Sequence, residues 1–289
     1  MRRLFALAVV MLLVATTAHA TCTVSASGVA FGEYLGAKIQ STGTVTVNCN
    51  AGTGTYTFTI ALSTGAGTYA QRTMSNGTGT LGYQLFRQAY TSTWGDGTGG
   101  SNTVAGSIPA AGGTQVFNVY GGIPVATPTG GVYTDLITAT VTGTGTGAPT
   151  TQFTVTALVK PACTVSTNPL NFGVYIGVAL SATTTLAVTC TNTTPYYVNL
   201  DNGQNYSCCW YNRMIGPGGQ LLSYELYQDA AHTVPWWDTV NKDGEAGTGT
   251  GNAQTLTVYG LVFDRGNALQ NTNVTPGAYA DTVAVTLTY

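Results

Sequence analysis

Six cysteines have the most chemistry available to them in this chain, and four of them share one spacing. Cys22 and Cys49 stand 27 residues apart, and so do Cys163 and Cys190. Thiols so placed could form disulfides or hold a metal as thiolates. Thiolate sites want ligands in close pairs with histidine, and no such grouping is present. Two equal spacings predict two equivalent disulfides, Cys22–Cys49 and Cys163–Cys190. Each would close a loop worth about 3.6 kcal/mol in the chain-entropy estimate. Cys208 and Cys209 are adjacent. They either form a vicinal link that staples a loop or remain thiols.

Other reactive constellations are scarce. Beyond the first 20 residues the only histidine is His232. A Ser–His–Asp set would have to use it, and no nucleophile-elbow motif occurs. The first half offers only Glu33, Asp96 and Asp135 as carboxylates, a poor supply for a glycosidase pair. No phosphate loop, cofactor fingerprint or metal cluster appears. The sequence argues against an enzyme and calls for no cofactor.

The cysteines sit inside a larger repeat. Cys-Thr-Val-Ser, FGEYLG and TVTVNC, from Cys22 to Cys49, return as Cys-Thr-Val-Ser, FGVYIG and TLAVTC, from Cys163 to Cys190. The offset is 141 residues, and it also relates Arg72 to Arg213 and Tyr83 to Tyr224. A constant offset over this distance marks a tandem duplication. Ahead of it, Arg2 and Arg3 precede an apolar run, and Ala18-His19-Ala20 fits a signal-peptidase site. The expected organisation is a signal peptide at 1–20, one domain at 21–160 and a second at 161–289. No further run is apolar enough to suggest a transmembrane segment in the mature, exported chain.

Charged residues make up 7% of the chain and apolar ones 44%. That balance excludes disorder and long charged helices. Thr/Val/Tyr alternations between glycine-rich loops indicate strands. In the first copy they fall near 22–25, 44–49, 55–62, 81–88, 114–120, 133–142 and 151–159. In the second they fall near 163–166, 185–191, 196–201, 221–228, 255–262 and 279–289. The expected fold is all-β, with two tandem immunoglobulin-like sandwiches. YTDLITATVTG at 133–143 is followed by a further run, TQFTVTALV at 151–159, whereas the equivalent YADTVAVTLTY at 279–289 is followed by nothing. The second sandwich is therefore expected to lack its final strand. Val283, Val285, Leu287 and Tyr289 would then border an open, strand-accepting edge, which native proteins do not leave bare. The first half carries about +1 charge and the second about −5, with no basic stripe, so nucleic acid is excluded as a partner.

Cys-Thr-Val, the FGxYxG box, the strand ending in cysteine and the terminal Gly277-Ala278-Tyr279-Ala280-Asp281-Thr282-Val283 resemble the spore coat protein U domain. The resemblance covers nearly all of residues 21–289. That family includes pilin subunits of archaic, Csu-type chaperone–usher pili. It implies a pilin-type sandwich completed first by a periplasmic pilus chaperone. At an outer-membrane usher, a strand from the adjacent pilin subunit then replaces the chaperone. Cys22 lies one residue past the expected cleavage site, so this chain is expected to accept a strand and donate none. The implied role is a two-domain tip adhesin, exported through the periplasm to the cell surface and active in attachment and biofilm formation. A structural coat or surface-layer protein is the alternative.

Adhesins of this type would bind through apolar loop tips. The loops at 89–113 and 121–132 offer Tyr90, Trp94, Ile108, Ile123 and Val125 as surface-binding candidates. Trp94 either contacts a surface or folds back as a lid on the core, and Ile123 and Val125 could instead lie at the domain junction. Trp236 and Trp237 read as packing residues. Asp135 and Asp281 occupy equivalent places, which suggests a turn hydrogen bond.

Overall fold

The computed structural model describes residues 21–143, 148–206, 211–237, 244–266, 271 and 274–289. The expected signal peptide and the pair Cys208 and Cys209 lie outside the described residues. Threonine-rich alternation forms strands throughout, with one 3-10 turn at Pro217–Gly219. The first repeat holds β1 (Cys22–Ser27), β2 (Val29–Glu33), β3 (Ile39–Cys49), β4 (Tyr56–Leu62), β5 (Arg72–Ser75) and β6 (Thr80–Gln88). It continues through β7 (Ser92–Thr93), β8 (Val104–Ile108), β9 (Gly113–Ile123), β10 (Gly131–Gly143) and β11 (Thr150–Val159). The second holds β12 (Cys163–Thr167), β13 (Leu180–Cys190), β14 (Pro195–Leu200), β15 (Asn212–Ile215), β16 (Leu221–Tyr227), β17 (Glu245–Thr248), β18 (Ala253–Val262) and β19 (Val285–Thr288).

In the first repeat one layer runs β1-β3-β9-β6 and the other β8-β4-β10-β11-β2, with β5 linking β6 to β10. Pairing is antiparallel except between β11 and β2. Period-two alternation turns threonine outward and apolar residues inward. In β11, for example, Phe153, Val155, Ala157 and Val159 are buried. In the second repeat, among the described residues, β12-β13-β18-β16-β15 faces a sheet of three strands, β17-β14-β19. Each repeat has its own apolar core.

Both predicted disulfides are present, Cys22–Cys49 and Cys163–Cys190. Each joins the first residue of one strand to the last residue of its antiparallel neighbour. The repeats are joined through Lys160-Pro161-Ala162. There the Lys160 ammonium lies 3.0 Å from Glu33 Oε2, and the Thr191 hydroxyl donates to the Lys160 carbonyl.

Candidate functional site

The two repeats share a frame, and the difference between them is where the candidate site lies. The β10–β4 register, Ala139 opposite Leu62 and Val141 opposite Ile60, returns as Val285 opposite Leu200 and Leu287 opposite Val198. The single bridge between Thr134 and Ser75 returns as Ala280 with Ile215. A duplicated clamp holds this corner. Tyr83 donates its hydroxyl to Asp135 Oδ2 at 2.6 Å, and Tyr224 donates to Asp281 Oδ2 at 2.8 Å. The other carboxylate oxygen accepts loop amides, from Ala66 in one copy and Gln204 in the other. Burial and the adjacent carboxylate raise both tyrosine hydroxyls far above their ordinary range. Gly65 and Gly203 have positive φ, and a Cβ on either would lie about 2 Å from the carboxylate. The shared Asp therefore has the turn role its repetition suggested.

On the far edge the copies part. β10 pairs with β11 over ten residues, from Gly131 opposite Val159 to Thr140 opposite Thr150. Among the described residues β19 pairs only with β14, and no strand covers its other edge. Without that neighbour the expected 279–289 strand contracts to Val285–Thr288. Segment 277–284 keeps one bridge, at Ala280. The parallel neighbour of β11 is lost as well. Residues 170–174, which match β2, form no strand.

Side-chain burial follows the same division. Val29, Phe31, Ile137, Ala139 and Val141 are buried in the first repeat. Their counterparts Leu170, Phe172, Val283, Val285 and Leu287 are only partly buried against the second core. Tyr289 is 59% exposed. Val174, which replaces the Glu33 of the first copy, is 81% exposed. Among the described residues, β19 therefore leaves one backbone edge without a strand neighbour, flanked by apolar side chains that the core covers only in part.

By the β11 pattern, four inward side chains on a strand added at this edge would meet the partners of Val159, Ala157, Val155 and Phe153. In the second repeat those partners are Gly277, Tyr279, Asp281 and Val283. Filling them would contribute on the order of 5–8 kcal/mol of burial before ordering entropy is subtracted.

Three of the five candidate surface contacts are corrected. Trp94 is fully buried and donates its indole N–H to the Ile60 carbonyl at 2.9 Å. Its backbone is fixed by Leu85, and the buried Arg72 guanidinium donates to its carbonyl. Trp236 repeats the arrangement, with its indole on the Val198 carbonyl at 2.7 Å. Ile108 ends β8 opposite Tyr56, and Ile123 ends β9 opposite Ile39, so both face the core. Tyr90 is half-buried and Val125 is 76% exposed. Both line one groove of the first repeat, described below.

A residue that sequence reasoning missed is Glu225, buried in β16 at the position of Gln84 in β6. Desolvation pushes its carboxyl up to about 7, against partial relief from the Trp237 indole N–H and the Leu226 amide. The folded chain then holds the proton more tightly than the unfolded one. The second repeat is therefore most stable below pH 4.5 and weakens as pH rises through 7, by on the order of 3 kcal/mol. Glu225→Gln, which restores the first-copy residue type, is expected to remove most of that slope. Urea midpoints at pH 5 and pH 8, read by tryptophan fluorescence, check this; equal slopes in both proteins would contradict it.

The Spore Coat Protein U domain model matches twice, over residues 8–140 and 149–286. The chain belongs to the Spore Coat Protein U domain family. Among solved structures, this family member resembles the chaperone–tip adhesion subunit pre-assembly complex CsuC–CsuE from the archaic chaperone–usher Csu pili of Acinetobacter baumannii. The match has a TM-score of 0.54 and 14% identity, and covers 93% of this chain and 100% of that one. A second match is the CupB6 tip adhesin of Pseudomonas aeruginosa, with a TM-score of 0.44 and 9% identity over 94% of each chain. No curated protein matches in sequence. Both repeats thus have the pilin-type fold that the sequence predicted.

Proposed function

We propose that this chain is the tip subunit of a chaperone–usher pilus that attaches cells to surfaces and promotes biofilm formation. The observation that carries the reading is that β11 closes the first repeat, while among the described residues no strand covers the matching edge of the second. A closed first repeat needs no donor and can face outward. An open second repeat takes a strand from a periplasmic chaperone, then from the next pilin subunit at the usher. The likeness to a chaperone-bound tip subunit supports the same placement. The protein works by binding and assembly rather than catalysis, and its localisation is the pilus end, reached through the periplasm.

Periplasmic expression with the cognate chaperone is expected to give a soluble 1:1 complex, and expression without it aggregated or degraded protein. Gold labelling of the second repeat is expected only at pilus ends. A stable monomer without any partner would refute strand acceptance. Label along the shaft, or over a whole coat, would refute the tip position.

A further inference from the structure

The outer face of β3, β9 and β6 carries a groove that strand acceptance does not use. Register sets Gln40, Gly122 and Gln84 side by side across the three strands, with Thr42, Tyr120 and Phe86 in the next row. Gly122 leaves the floor low between its neighbours. Tyr90 packs edge-on against Phe86 and Tyr120, with centroids 5.9 and 5.6 Å apart. Its φ of +65° is one that bulky residues rarely adopt. Lys38, Gln71 and Val125 complete the rim of a hollow of about 570 Å³, a usual size for a small-molecule site.

The polar groups divide into engaged and free. Gln84 is committed, accepting from Arg72 and donating to the Tyr69 carbonyl. Among the described residues, the side chains of Lys38, Gln40 and Gln71 have no protein partner, and no carboxylate lines the hollow. Aromatic rings beside free amides suit a pyranose. Its C–H face packs on a ring, and its hydroxyls both donate to and accept from an amide.

The second repeat differs at the floor of this hollow. Leu261 occupies the place of Gly122, between Ser181 and Glu225. One duplicated frame thus carries glycine at this place in the first copy and leucine in the second.

We propose that the β3–β9–β6 face of the first repeat is a carbohydrate site that takes a terminal hexopyranose of a surface glycan, stacked at Tyr90 and hydrogen-bonded by Gln40 and Gln71. This deepens the attachment reading and rests on it.

The test uses the full chain in its chaperone complex. Calorimetry and saturation-transfer NMR are run with methyl glycosides of glucose, galactose, mannose and N-acetylglucosamine. At least one is expected to bind in the millimolar range. Gly122→Leu, with the nearest atom only 3.5 Å from an added Cβ, and Tyr90→Ala should each weaken it by roughly tenfold. Both variants should remain folded by circular dichroism at the temperature of the assay, and Leu261→Gly should leave binding unchanged. No signal from any of the four on a folded chain overturns the proposal, as does undiminished binding by Gly122→Leu. Either result leaves the pilus-end placement to stand or fall on the gold labelling.

Discussion

Fusing residues 144–159 of this chain after Tyr289 is expected to raise the melting temperature of the second repeat by roughly 15 °C, with no change in the first. Tyr289 matches Gly143, so the added segment brings Thr150–Val159, the strand that follows β10 in the first repeat, at the same distance along the chain. The added segment places Phe153, Val155, Ala157 and Val159 over side chains now only partly buried and restores the backbone ladder on the open edge. It also gives residues 170–174 the parallel partner that β2 has in the first repeat. Calorimetry of the full chain reads the gain, since each repeat has its own core. Replacing Phe153 and Val155 by Asp in the fused copy only should abolish it, because charged groups cannot enter an apolar groove unpaired. A fusion that melts like the parent chain would mean that the second repeat is already complete.

The second large effect concerns Trp94. Trp94→Ala is expected to destabilise the first repeat by about 4 kcal/mol, through a large cavity and the loss of the indole donor to the Ile60 carbonyl. Loss of attachment in this variant should follow loss of fold, with early urea unfolding and no folded but non-adhesive population. Trp236→Ala should do the same in the second repeat, because its indole holds Val198 in the same way. If Trp94→Ala kept its midpoint and lost only attachment, the loop would be a contact surface after all.

The fold class, the duplication, both disulfides and the unequal endings were legible because each has a local pattern that repeats. Period-two threonine runs mark β3, β4 and β11, and the equal cysteine spacing marks β1–β3 and β12–β13. Among the short strands that the sequence reading missed are β2, β5 and β8. They are only four or five residues long, and β2 and β8 contain glycine, so their identity comes from long-range partners rather than local alternation. It extended the last strand to 279–289 because apolar spacing continues there, although a ladder needs a neighbour as well as a pattern. Trp94 was ambiguous because a glycine-rich loop looks exposed. Its match to Trp236, at an offset of 142 rather than 141, was the signal that places both in cores. Gly122 was invisible without the register that seats it between two glutamines.

The short join between the repeats has a mechanical consequence. Tension arriving from the second repeat reaches the first through Lys160, at the end of β11. It therefore draws that strand lengthwise between β10 and β2, so that many backbone bonds must yield together instead of peeling singly. On the other side the pull meets Cys163 at the first residue of β12, where a covalent bond to Cys190 passes it at once to β13. On the proposed role in attachment, a cell held in flow would hang on two shear-resistant joints placed back to back.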